Sequence, residues 1–226
     1  MDQRSLISID LSLATLITAC VDEEGSAAHS YSAPAAMGER QSFARNLVDF
    51  ADFAHLLTIL HGETPGLIDH AAARTVEVSA RTWLLTSIDS FAVERDYLHR
   101  LCVAAGPVPS TAGQSEASTL IAQQRHAIEM LAQSERRGCA LGTAVALVLE
   151  WHVIRKILDI GAIRLGIESP ELALPTRAET AAVLDALPQP ERLSRAIEFG
   201  AAQLLIQHRG MWDLLKARAG ARQDQR

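Results

Sequence analysis

From residue 39 onward, apolar positions return every three or four residues, the period of an amphipathic helix. Phe43, Leu47, Phe50, Ala54 and Leu57 form one such stripe, and it stops at His61 and Gly62. Thr64 before Pro65 has the form of an N-cap followed by proline in the first turn. It predicts a second helix to about Ser87, with Ile68, Ala72, Val76, Ala80 and Trp83 inward. Asp89 or Ser90 would cap a third helix, buried through Phe91, Leu98, Leu101 and Ala105 and ended by Gly106 and Pro107, with Pro109, Ser110 and Gly113 in the loop beyond. A fourth helix over about 115–135 uses Leu120, Ile121, Ile128 and Leu131. The fifth, about 136–166, is apolar nearly all round between Cys139 and Leu149, so other helices must surround it. Gly138, Gly142 and Ala146 strip one of its faces of side chains and invite close approach by a neighbour. A short helix near 178–187 lies between Pro170 and Pro175 on one side and Pro188 and Pro190 on the other. A last long helix runs to about Ala219 on Leu193, Ile197, Leu204, Met211 and Leu215.

The first twenty residues fit two periods. Ile7, Ile9, Leu11 and Leu13 alternate as in a strand, whereas Leu6, Ile9, Leu13, Leu16, Ile17 and Cys20 recur as in a helix; helix is preferred because a lone strand would have no partner. Residues 22–38, rich in Ser, Ala, Gly and acid, read as a mobile connection. The expected organisation is an apolar N-terminal segment and connection over 1–38, a helical bundle domain over 39–219 and a polar tail over 220–226. The fold class is all-α, an up-and-down bundle of six to seven helices around the 136–166 helix.

Composition agrees with helix, since aromatic residues make up only 4% and β-branched residues are not clustered. The net charge of −6 argues against nucleic-acid binding, which needs a basic surface. The first sixty residues hold Arg4, Arg40 and Arg45 against eight Asp and Glu, which disfavours a helix-turn-helix regulator. Cys20, Cys102 and Cys139 are far apart and suggest neither disulfides nor a zinc site. Asp10 interrupts the segment from Leu6 to Cys20, which reads as structure rather than as a signal peptide. The Cys139–Leu149 run is about half the roughly 20 residues that span a bilayer. A cytoplasmic protein without membrane or nucleic-acid partners is expected. The surplus of apolar helix surface further suggests a symmetric homodimer.

Glycine-rich phosphate loops, Gly-x-Ser-x-Gly elbows, His-Glu-x-x-His pairs and redox cysteine pairs are absent from the sequence. Candidate chemistry therefore rests on ionisable residues that fall on apolar stripes, where burial is costly without a partner. There are four. His61 ends the first bundle stripe, Glu94 precedes Leu98 and Leu101 by one and two turns, Glu150 continues the Gly142 and Ala146 face, and His208 lies between Leu204 and Met211. Either they form a structural polar network, with the carboxylates held by Arg or His, or they bind a metal or a small ligand. Two carboxylates and two imidazoles from four helices are the ligand types of carboxylate-bridged di-iron or di-manganese centres. In this respect the chain resembles ferritin-like bundles in architecture, which would imply a metal-dependent oxidoreductase. It departs from their Glu-x-x-His pairs. The nearest spacings, Asp52 with His55, Asp96 with His99 and His126 with Glu129, lie on stripe flanks and read as solvated pairs. His70, with Arg74, Glu77 and Arg81, marks a polar face, and Trp83, Trp151 and Trp212 read as core or interface anchors. No cofactor is indicated, and a non-catalytic module binding a partner or small ligand is the favoured reading.

The segment from His61 through Gly-Glu-Thr-Pro-Gly-Leu-Ile-Asp to His70, with Gly106-Pro-Val-Pro-Ser-Thr-Ala-Gly113, resembles an uncharacterised all-helical family of alphaproteobacteria. The likeness runs from about residue 40 and implies the fold class and a bacterial cytoplasmic setting, without an activity.

Overall fold

A computed structural model describes residues 11–188 and 190–224. These contain helices α1 (Leu13–Glu24), α2 (Ala33–Ala36), α3 (Leu47–His61), α4 (Leu67–Arg74), α5 (Val78–Ala105), α6 (Gln114–Ala132), α7 (Cys139–Leu165), α8 (Arg177–Asp185) and α9 (Glu191–Asp224), with a 3₁₀ turn at Phe43–Arg45. The described residues contain no strand, and the architecture is the all-α bundle expected. The described residues form nine helices rather than six or seven. None of them is long and apolar enough to cross a membrane.

The central helix is α7, as its all-round apolar sequence required: from Cys139 to Trp151 every residue is buried. Its most extensive contact is with α9. There the small residues act as anticipated, since a Cβ on Gly142 would lie 2.0 Å from the Ile197 carbonyl oxygen and one on Gly200 would lie 2.1 Å from that of Cys139. Thr143 bridges the two backbones, its hydroxyl donating to Cys139 O at 2.9 Å and to Gly200 O at 3.2 Å. At the other end of α7, Gly161 makes room for the Phe50 ring of α3.

Two boundaries differ from expectation. The break falls at Thr75 to Glu77, whose flanking residues are extended, and α5 then runs unbroken through Asp89 and Ser90. Ser90 does not cap. Its hydroxyl donates to Thr86 O within the helix and to Ala173 O outside it, so the residue type that suggested a helix start is used to tie down a loop. Val76, expected inward, is 67% exposed in the break. α4 begins at Leu67 rather than at Pro65, and the Asp69 carboxylate accepts the Gly66 N–H at 2.8 Å at the start of the helix. Leu47 and Leu120, also expected inward, are exposed, while Phe50 and Leu57 on one stripe and Ile121 and Ile128 on the other are buried as expected.

At the N-terminal end helix prevails over strand: Leu13, Ala14, Ile17 and Val21 bury one face of α1. Leu6, Ile7 and Ile9 lie outside the described residues. The stretch read as a mobile connection is packed into the bundle, with Ser26, Ser32 and Ala35 fully buried. At the other end α9 continues past Ala219, because Arg222 donates to Asp49 and Asp52 of α3.

Candidate functional site

Three of the four inward residues meet in the bundle core. α7 supplies Glu150 and α9 supplies His208, both fully buried, and the last residue of α3 supplies His61 at 5% exposure. His208 Nδ1 lies 3.1 Å from Glu150 Oε2, and His208 Nε2 lies 2.9 Å from His61 Nε2. The fourth partner is Ser26. Its backbone N–H donates to both Glu150 oxygens at 2.9 and 3.0 Å, and its hydroxyl donates to Oε2. Trp212 Nε1 in turn donates to the Ser26 hydroxyl at 2.9 Å. The approach requires glycine at 25, since a Cβ there would lie 2.3 Å from Glu150 Oε1.

A carboxylate accepts only, so His208 donates to Glu150 through a protonated Nδ1, and its Nε2 shares one hydrogen bond with His61 Nε2. Burial, helped by the neighbouring His208 and Arg95, holds His61 well below the usual histidine range, so the ring is neutral.

Glu94 is not part of this set. Trp151 Nε1 donates to its Oε2 at 2.9 Å and Arg155 Nη1 to its Oε1 at 2.6 Å. Arg155 also reaches Asp159 at 2.8 Å, and Asp159 accepts from the Tyr97 hydroxyl. Burial pushes the Glu94 carboxyl up, while Trp151 and Arg155 draw it back. The Trp151 ring stands edge-on to His61 at 5.9 Å and so touches both networks. The donors do not fit a carboxylate-bridged di-metal centre: Glu150 is spent on Ser26 and His208, the imidazoles on each other, and Glu94 on Trp151 and Arg155. Among the described residues, no three of His, Cys, Asp and Glu stand where they could hold a metal ion.

His61 also lines a pocket of about 110 Å³ between α3, α4, α5 and α6. Its apolar wall includes Leu60, Leu67, Phe91, Ile128 and Leu147, and Arg95 of α5 lines it with only 6% of its side chain exposed. Asp69 of α4 accepts from Arg95 Nη2 at 2.7 Å, and Thr64 accepts from Nη1 at 3.2 Å. Arg95 Nε, though buried, has no hydrogen-bond partner among the described residues. At the rim Arg125 donates to Glu63 and to Glu129, both exposed. Gly66 keeps the loop close, since a Cβ there would lie 3.0 Å from Arg95 Nη2.

The flank pairs divide. Asp52, expected to be solvated, is fully buried, with Arg218 donating to it at 2.7 Å and Arg222 at 2.7 Å. His55 engages the Gly106 carbonyl instead. Asp96 pairs with exposed Arg100, and His126 and Glu129 form the expected solvated pair. His70 lines the pocket and is half-buried rather than fully solvated. The three tryptophans are core residues, with Trp151 and Trp212 fully buried. Sequence reasoning missed Ser26, Arg95 and Asp69. Arg95 follows Glu94 beside an apolar stripe, and four-residue spacing from Phe91 was the available signal; the guanidinium lies 5.1 Å from that ring.

No curated protein matches the chain. The profile of a family of unknown function, DUF6975, matches residues 21–223, a span that takes in Ser26, His61, Arg95, Glu150 and His208, and the chain belongs to that family.

Proposed function

We propose that the protein is a non-catalytic binding module that receives a small ligand in the pocket between α3 and α6. The observation that carries this reading is His61, a neutral, buried ring that lines a pocket on one side and is held on the other by His208 and Glu150. A structural histidine needs only a partner. This one is fixed in orientation by a second and third group and lines a partly apolar cavity, which is the common form of a ligand site. The test is ligand-observed NMR with a mixture of small polar compounds, run on wild type and on Ala132→Leu, which fills the pocket from α6. Compounds whose saturation transfer is lost in the variant are expected, with circular dichroism unchanged. If no compound distinguishes the two proteins, the pocket is not a binding site.

The competing reading, a ferritin-like metal-dependent oxidoreductase, draws support only from the meeting of His61, His208 and Glu150. Iron and manganese titrations of wild type and Glu150→Gln separate the two. Stoichiometric metal in wild type, lost in a folded variant, would replace the binding reading. Self-association as a symmetric dimer belongs to the same proposal. Its support is the exposed apolar surface on the packed pair α1 and α9, where Leu16 is 39%, Phe199 44% and Ile206 55% exposed. Light scattering at micromolar concentration is expected to exceed the 24.5 kDa of one chain; that mass alone would reject it.

A further inference from the structure

The exposed stripe of α9 is its own complement. Arg192, Phe199, Ile206 and Asp213 follow one another at intervals of seven residues, close to two helical turns, so the four side chains share one face. All four reach solvent: Phe199 is 44% and Ile206 55% exposed, Arg192 is exposed, and Asp213 keeps 68% of its side chain exposed although His29 lies 3.1 Å from it. The stripe thus carries a cation at one end, an anion at the other and two apolar side chains between them. Laid parallel on a second copy, it would set Arg192 against Arg192 and Asp213 against Asp213. Laid antiparallel, it sets Arg192 against the partner's Asp213 and Phe199 against the partner's Ile206, and a two-fold axis repeats both contacts. Equal spacing lets a single register satisfy all of them.

The surface beside the stripe has room for a ring. Next to Ile206 a groove of about 210 Å³ between α1 and α9 is walled by Cys20, Ala202, Leu205 and Ile206, with the Glu24–Arg209 ion pair at its rim. An enclosed cavity of about 150 Å³ accommodates benzene, so a phenyl group fits. Within its own chain the Phe199 ring meets the Arg136 guanidinium at 5.5 Å and is otherwise left partly in water. Resting on the self-association reading above, we infer that the partner of this surface is a second copy of the chain, its α9 packed antiparallel on α9 about a two-fold axis beside Ala202 and Gln203. The partner's Phe199 enters the groove beside Ile206, and Arg192 pairs with the partner's Asp213 at each end.

Sedimentation velocity at micromolar concentration tests this on the full chain and three variants. Phe199→Glu puts a charge where the ring is buried between copies, and a dimer weakened about a hundredfold is expected, with circular dichroism unchanged. Arg192→Asp and Asp213→Arg each set like charges across both symmetry-related contacts, and each alone should weaken the dimer about tenfold. Mixed one to one, these two variants restore opposite charges at both contacts and should pair with each other as tightly as wild type does. Asp213→Arg also loses His29, but mixing cannot repair that loss, so rescue reports contact between copies. A wild-type dimer that all three variants leave intact overturns the α9 interface, and self-association then stands on another surface. Dissociation by the single variants without rescue in the mixture overturns the antiparallel register. Wild type at the mass of one chain rejects self-association and this inference together.

Discussion

Glu150 is a buried carboxylate whose acceptor capacity is matched by Ser26 N–H, Ser26 Oγ–H and His208 Nδ1–H, so its removal strands several donors at once. Glu150→Ala is expected to cost about 3 kcal/mol or more, read as a fall in the urea midpoint with unchanged slope. His61 gives a pH dependence whose sign follows from its depressed folded value. Below the ordinary histidine value of about 6.5 the unfolded chain takes up a proton that the folded chain refuses. Stability from this residue is thus complete above pH ~6.5 and is lost as pH falls below it, by at most about 1.4 kcal/mol per pH unit. Urea unfolding at pH 7 and pH 5.5 should show a steeper loss in wild type than in His61→Gln. At this scale the site was partly legible. His61, His208 and Glu150 interrupt apolar stripes, and periodicity finds such residues; Ser26 sits in a stretch without periodicity, and its burial depends on a contact 124 residues away in sequence. Glu94 carries the same signal as Glu150 yet pairs with Arg155, because sequence pattern reports that a charge faces inward and not which partner awaits it.

Among the elements, α7 was the easiest to foresee and carries the sharpest steric demand. Gly142→Leu must displace the α9 backbone at Ile197, and a loss of about 1–3 kcal/mol is expected from overpacking. Unchanged thermal stability would mean that the two helices do not approach as described. The division between α4 and α5 was misplaced for a physical reason. Asp and Ser are strong caps where a helix starts, but inside α5 tertiary packing of Phe91, Leu98 and Leu101 outweighs that preference, while Thr75 and Val76, β-branched and lacking glycine or proline nearby, mark the true break weakly. Four-residue α2 has too short a pattern to be seen at all.

Over the whole molecule, both ends of the described chain are fastened to its middle. Arg218 and Arg222 of α9 close on Asp49 and Asp52 of α3, and Arg222 reaches the loop hydroxyl of Thr111. The N-terminal stretch fastens differently, laying Ser26 between Glu150 and Trp212. From that second fastening we expect the protein to divide into two complementary pieces. A fragment beginning at residue 39 would retain the stripes of α3 to α9 but hold a carboxylate stripped of its Ser26 donors, beside an indole N–H without an acceptor. A synthetic peptide covering residues 11–38 should dock into that gap and restore the missing bonds. Trp212 lies at the junction, so its emission should change saturably as peptide is added, and peptide carrying Ser26→Ala should bind more weakly. Emission indifferent to the peptide would mean that the N-terminal stretch covers the core without contributing to it.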